Sequence, residues 1–184
     1  GIVILSYPEM VPLSYSLVEG ESKVEYTSEF LAFREVPTLL KAWDQIPNKP
    51  DLLILDGQGI THPRRMGIAS HFGLLTDHPT IGCAKNMLHG KYSALEDEKF
   101  STCPIYKGSE KLGYALRTKN NVKPVFISPG HHISVDDSIE IMLKTILKHR
   151  IPEPTRHAHQ MVNLFRTGQR KEGYFELNCQ LPLF

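Results

Sequence analysis

The sequence predicts an α/β fold in which a mixed sheet is flanked by helices on both faces. Three observations lead there. LLIL (Leu52 to Leu55) and TIGCA (Thr80 to Ala84) are continuously apolar, the pattern of parallel strands buried on both faces rather than of a half-exposed strand. Between them stands a segment of helical period, which completes a βαβ unit. YALRT and PVFIS, separated by KNNVK, read as an antiparallel hairpin and make the sheet mixed.

In chain order, IVILSY forms a short apolar strand ended by Pro8, and SYSLVEGESKVEY has room for one or two further strands of a meander. From Phe30 the apolar residues take a helical spacing, with Leu39, Leu40, Trp43 and Ile46 on one face of a helix ending near Asn48. Pro37 fits such a helix only in a first turn or at a kink. After the strand at Leu52 to Leu55 come a glycine-rich loop, a helix from about Arg64 to Leu75, and the strand TIGCAK. Met87 to Lys111 is polar and without period, so it is expected to be irregular. Ser134 caps a helix running to about Lys148, with Asp136 and Asp137 in the first turn, where the helix dipole favours anions. A last helix follows Pro154. Beyond Arg166 the tail has no period, which divides the chain into a domain over 1–165 and a C-terminal extension over 166–184.

At 184 residues the chain can bury a substantial core. A hydrophobic content of 41% and a charged content of 22% exclude a wholly disordered protein. The net charge of +1 means that any anion-binding surface must be a local cluster of Lys and Arg. Cys83, Cys103 and Cys179 form no CxxC pair, against both a disulfide framework and a zinc ribbon. With no membrane-length apolar run and no leader-like start, the expected location is intracellular, in cytoplasm, nucleus or nucleolus.

The chemistry concentrates in LLILDGQGITHPRR. A buried charge needs compensation, yet Asp56 closes an apolar strand where open α/β sheets bind their ligands. Gly57 and Gly59 lack the third glycine of a dinucleotide loop, since His62 stands there, and no Walker lysine follows. These glycines instead admit another backbone or a flat ligand, while His62, Arg64 and Arg65 stand near a helix start suited to anions. Glu35 is a second carboxylate among apolar residues, with Arg34 beside it. Lys85 ends TIGCAK, so parallel pairing would bring its ammonium to the sheet edge that carries Asp56. His157 and His159, two apart on a helix, cannot both face one site.

EYTSEFLAFREVP, PDLLILDGQGITHPRRMGIASHFGLLTDHPTIGCAK, FISPGHHIS and RIPEPTRHAH, in that order, resemble the endonuclease V family over roughly Gly1 to Val162. The resemblance implies an RNase H-like fold and magnesium-dependent cleavage at the second phosphodiester 3′ to inosine. It puts the family's metal-binding residues on Glu35, Asp56 and His159, its active-site lysine on Lys85 and its loop histidine on His62. Asp56 would then be compensated by Mg²⁺, with Mn²⁺ able to substitute, held by few carboxylates plus water and substrate phosphate. The family's wedge tyrosine falls on Tyr26, and a flipped base would enter a pocket near Leu31, Gly57, Gly59 and Ile68, with Arg64 and Arg65 holding phosphate.

Two positions depart from the family pattern. The proline and glycine that usually accompany the wedge tyrosine are Glu25 and Glu29 here. The family also begins with a central strand carrying a further metal-binding aspartate, which would lie upstream of Gly1; without it the sheet is expected to be cut in two. FLAFREVP and the YTS wedge resemble eukaryotic members, whose preferred substrate is inosine in single-stranded RNA, and RNA is the expected partner on that ground. The bacterial branch points to deoxyinosine repair in DNA, and His159 stands where aspartate is common among animal members. Two other classes compete. A non-catalytic single-strand binder would need no Mg²⁺. A phosphatase, whose apolar strand would likewise end in Asp, is not supported by a second aspartate, since Gln58 stands there.

Overall fold

The computed structural model describes residues 1–21 and 31–177. Tyr26, Glu25, Glu29 and the side chain of Leu31 lie outside the described residues.

Two strands come first, β1 (Ile2–Leu5) and β2 (Pro12–Leu17), followed by helix α1 (Leu31–Asp44). The βαβ unit is β3 (Leu53–Leu55), α2 (Ile68–Thr76) and β4 (Thr80–Ala84). Then come β5 (Thr102–Lys107), β6 (Glu110–Leu116), β7 (Val125–His131), α3 (Val135–Lys144), α4 (Glu153–Arg166) and β8 (Gly173–Glu176). The expected division of the sheet is present: β1-β2-β8 form one sheet and β3-β4-β7-β6-β5 another, with β1 and β3 each at an end of its own sheet.

The larger sheet is mixed. β3 and β4 run parallel, with Leu53 opposite Thr80 and Leu55 opposite Gly82, while β7 is antiparallel to both β4 and β6. Continuous apolarity in β3 and β4 does correspond to cover on both faces. Leu53, Leu55, Ala69 and Phe72 join Trp43, Val36 and Ile46 of the α1 region in one core. On the opposite face Ile54 packs with Ile81, Cys83, Ile127 and the α3 residues Ile139 and Met142. The smaller sheet is covered in the same way, with Ile2 on the α1 core and Tyr15 and Leu17 against Met161 of α4. Burying whole aliphatic side chains in these layers contributes roughly 1.5–3 kcal/mol each, the main driving force for the two-sided arrangement.

Several local expectations need correction, among them the end of α1, which falls at Asp44 rather than near Asn48, and the start of α4, at Glu153 rather than after Pro154. Met87 to Lys111 is not irregular throughout: Thr102–Lys107 is a strand joined to β6 by a two-residue turn. Gly108 takes φ +60° there, the left-handed conformation that tight hairpins need. α2 starts at Ile68, not Arg64, because Gly67 is its N-cap and His62 to Arg65 form a separate turn closed by Arg65 N–H donating to the His62 carbonyl. α3 ends at Lys144, short of Lys148, although Ser134 caps it as expected by accepting the Asp137 N–H at 3.0 Å. Pro37 lies inside α1 rather than in its first turn. Within the C-terminal tail, β8 pairs antiparallel with β2, Phe175 opposite Tyr15.

Candidate active site

Parallel pairing of β3 and β4 brings the chain past both strands to the same edge. There Lys85 Nζ donates to Asp56 Oδ2 at 2.6 Å, each side chain 45% exposed. They border an open cleft of about 250 Å³, whose walls include Gly57, His62 and Ile68.

The loop between β3 and α2 is pressed onto the sheet, which explains its glycines. A Cβ on Gly59 would stand 2.0 Å from the Pro129 carbonyl oxygen, and one on Gly82 would stand 2.3 Å from the Gly59 nitrogen. The Gly59 N–H donates to Ser128 Oγ at 2.9 Å and the Ile60 N–H to the Pro129 carbonyl at 2.9 Å. Thr61 Oγ1 donates to Gln58 Oε1 at 2.6 Å, and Gln58 Nε2 reaches the Asn86 carbonyl at 2.7 Å. These bonds tie the loop to β7 and to the segment after β4, so the cleft floor is preorganised. Gly57 differs: its added Cβ would meet a side chain rather than backbone, the Cγ2 methyl of Ile68 at 2.6 Å.

His62 is buried at 4% exposure. Its Nδ1 accepts the Arg64 backbone N–H at 3.3 Å, which assigns the proton of a neutral ring to Nε2. Arg65 pairs with Glu110 and donates through Nη1 to the Ile60 carbonyl at 3.3 Å, so it braces the loop. Neither Gly59 nor the two arginines line the cleft. Gln58 lines it, as do residues that the sequence did not single out: Met66, Asn86, Met87 and Leu88. The available signal was position, since Asn86 to Leu88 directly follow the end of an active-edge strand.

Glu35 projects from the exposed side of α1. Its carboxyl is held above the ordinary range, first by partial burial and then by the negative charge of Asp56. A carboxyl whose proton affinity is raised by a neighbouring carboxylate belongs to a donor set that a hard cation would relieve. This chemistry fits a divalent metal. His159 is exposed on α4, whereas His157 is buried against Glu153 and Arg156, so the two do face different ways. Among the described residues, the group of three metal-capable side chains with ligand atoms mutually within 4.8 Å is Asp77, His131 and His132; Asp56, Glu35 and His159 do not close to that distance. Tyr26 falls outside the described residues.

The family model for endonuclease V matches residues 1–160. The endonuclease V of Dictyoglomus turgidum is 53% identical over 158 residues, 86% of this chain and 68% of that protein. The crystal structure of endonuclease V from Streptomyces avermitilis superposes with a TM-score of 0.82 at 39% identity, covering 91% of this chain and 74% of that one. Ciona intestinalis endonuclease V, in complex with a 24mer DNA containing an inosine followed by a ribo-adenosine, gives a TM-score of 0.77 at 30% identity, covering 91% and 78%. These identities lend no support to the expected nearness to eukaryotic members.

Proposed function

The chain belongs to the endonuclease V family and is an endonuclease; from that premise we propose that it hydrolyses single strands at the second phosphodiester 3′ to inosine, using Mg²⁺. Deoxyinosine in DNA is the favoured substrate, because the expectation of RNA rested on a eukaryotic kinship that the 53% identity to a bacterial relative does not support. A ribose context is the second reading. It is favoured by the ribo-adenosine that follows inosine in the strand bound by the Ciona intestinalis protein.

The observation that carries the proposal is the Asp56–Lys85 pair at the mouth of a cleft walled by Gly57 and Ile68. Asp56 and Glu35 would hold the metal, with His159 contributing from α4. A bound divalent ion supplies a nucleophilic water at neutral pH and stabilises charge on the reacting phosphate. Lys85 would offset negative charge developing on the departing oxygen. Asp56 would orient the attacking water, and the buried imidazole of His62 would stand beside the reacting phosphate. The cleft beside Gly57 and Ile68 would take the flipped hypoxanthine, whose carbonyl edge is read by rigid backbone groups. Tyr26 would fill the vacated place in the base stack, and Arg64 and Arg65 would sit near the backbone phosphates.

The test uses end-labelled single strands, with inosine in a deoxyribose or a ribose context, in Mg²⁺, Mn²⁺ or chelator. A Mg²⁺-dependent product ending one nucleotide beyond inosine is expected, strongest on the deoxyribose strand. Binding without cleavage in any metal would support a non-catalytic single-strand binder, and equal cutting without inosine would remove the base pocket from the reading.

A further inference from the structure

At the other edge of the larger sheet, away from Asp56 and Lys85, three ligating side chains converge. β7 is antiparallel to β4 with His131 opposite Thr80, so His131 lies at the start of β4 while Lys85 follows its end. Neighbouring residues on a strand normally face opposite ways. Here the chain leaves β7 at His131, and His132 adopts φ +48°, which turns the two imidazoles to one side with ring centroids 3.8 Å apart. Asp77, in the left-handed C-cap of α2 at φ 51°, meets them from below. Its Oδ1 accepts from His132 Nε2 at 2.8 Å and from His131 Nε2 at 3.3 Å.

The scaffold beneath is tight. A Cβ on Gly73 of α2 would stand 2.5 Å from both the His131 Cβ and Thr80 Oγ1, and one on Gly130 would stand 2.3 Å from Thr80 Oγ1. Thr80 Oγ1 in turn donates to the Ala69 carbonyl at 2.8 Å. The last turn of α2 and the end of β7 are therefore fixed against each other, which sets the spacing of the ligand atoms.

We propose that Asp77, His131 and His132 form a second metal site, separate from the nuclease centre, that takes one borderline divalent transition ion such as Zn²⁺, Co²⁺ or Ni²⁺. Two ligand atoms bound to one such ion at about 2.0–2.2 Å stand roughly 3–3.5 Å apart, close to the spacings observed. Two imidazoles with one carboxylate suit these ions, whereas Mg²⁺ and Ca²⁺ prefer all-oxygen shells. The Asp77 carboxylate oxygen Oδ1 is aimed at both imidazoles. Side-chain exposures of 22% for His131, 55% for His132 and 85% for Asp77 leave the outer coordination positions to water. The ion would clip the end of α2 to the end of β7.

The experiment is equilibrium dialysis of the full-length protein against Co²⁺ in excess Mg²⁺, read by the cobalt absorption spectrum and by melting temperature. Wild type and Asp56→Asn should each hold one equivalent of Co²⁺, and Zn²⁺ should raise the melting temperature of both. His132→Asn, which tolerates a left-handed backbone, and Asp77→Asn should weaken Co²⁺ binding by about tenfold or more and lose the Zn²⁺-dependent shift. Their melting curves in chelator should match wild type. Undiminished Co²⁺ binding in His132→Asn, binding that instead disappears in His159→Ala, or no binding by wild type would overturn the proposal and leave the cluster as a hydrogen-bonded group alone.

Discussion

Lys85 Nζ lies 2.6 Å from Asp56 Oδ2 across the ends of two parallel strands, with both side chains half open to solvent. A pair so exposed contributes little to stability, about 0–1 kcal/mol. Its weight is chemical, because either partner can exchange the other for a metal ion or a phosphate without a large desolvation cost.

Asp56→Asn keeps the volume and removes the charge. Turnover of an inosine-containing strand in Mg²⁺ is expected to fall by about two orders of magnitude or more, since the charge stabilisation a metal supplies is worth several kcal/mol. Binding of the same strand should persist. Turnover near the wild-type rate would defeat the assignment of Asp56.

For Lys85→Ala the expected loss is in the chemical step, about 10²–10³-fold, as for removal of one donor to a developing oxyanion. The melting temperature should hardly change, because the pair is exposed. A single-turnover rate and a melting curve on one sample distinguish this from a structural role, for which the melting temperature would fall and the rate would hold.

The reach of sequence reasoning divides along physical lines. Continuous apolarity at Leu52 to Leu55 and Thr80 to Ala84 made the parallel pair legible, and with it the meeting of Lys85 and Asp56, because two parallel neighbours must end at one edge. Ser134 was legible as a cap because capping is local. β5 was not: its inward residues Cys103 and Ile105 alternate with Pro104 and Tyr106, and a central proline with polar flanks hides a strand held by its partner. Asp77, His131 and His132 were also invisible as a group, since their convergence depends on two left-handed residues 55 positions apart in the chain and on how α2 packs against β7.

Glu35 links the site to pH. Its carboxyl binds a proton more tightly in the folded protein than in the unfolded chain, through burial and then the charge of Asp56. The folded state is therefore favoured by this group at acid pH and loses that advantage as pH rises from the ordinary carboxylate value through the raised one. At neutral pH, Glu35→Gln should raise the melting temperature of the metal-free protein by no more than about 2–4 °C, the shift that 1 kcal/mol gives in a domain of this size. The difference should vanish in acid below the ordinary carboxylate value. Mg²⁺ should stabilise wild type more than the variant. A lower melting temperature for Glu35→Gln at neutral pH would contradict the repulsion between Glu35 and Asp56.

Tyr26→Ala is expected to weaken inosine-strand binding by the value of one base–aromatic stack, about 1–3 kcal/mol, with Tyr26→Phe near wild type. Unchanged affinity in a folded Tyr26→Ala protein would rule out the wedge.

The two loop glycines should fail differently when each becomes alanine. Gly59 faces the Pro129 carbonyl, where an added methyl would sit 2.0 Å from backbone oxygen, and its own N–H is bonded to Ser128. Relief would require the loop to lift from β7, so Gly59→Ala should lower the melting temperature by several degrees or prevent folding, at a cost of about 1–3 kcal/mol or more typical of overpacking. Gly57 faces the Cγ2 methyl of Ile68 at 2.6 Å, a side-chain group rather than backbone, though on a β-branched residue that is stiff in a helix, and both residues line the cleft. Gly57→Ala should therefore lower the melting temperature less than Gly59→Ala does, while the displaced Ile68 narrows the base pocket. The measurable result is weaker binding of the inosine strand with unchanged binding of a matched strand lacking inosine. Equal loss on both strands would place the effect in the backbone-binding surface instead, and a collapse in stability would show that Ile68 has no room to yield.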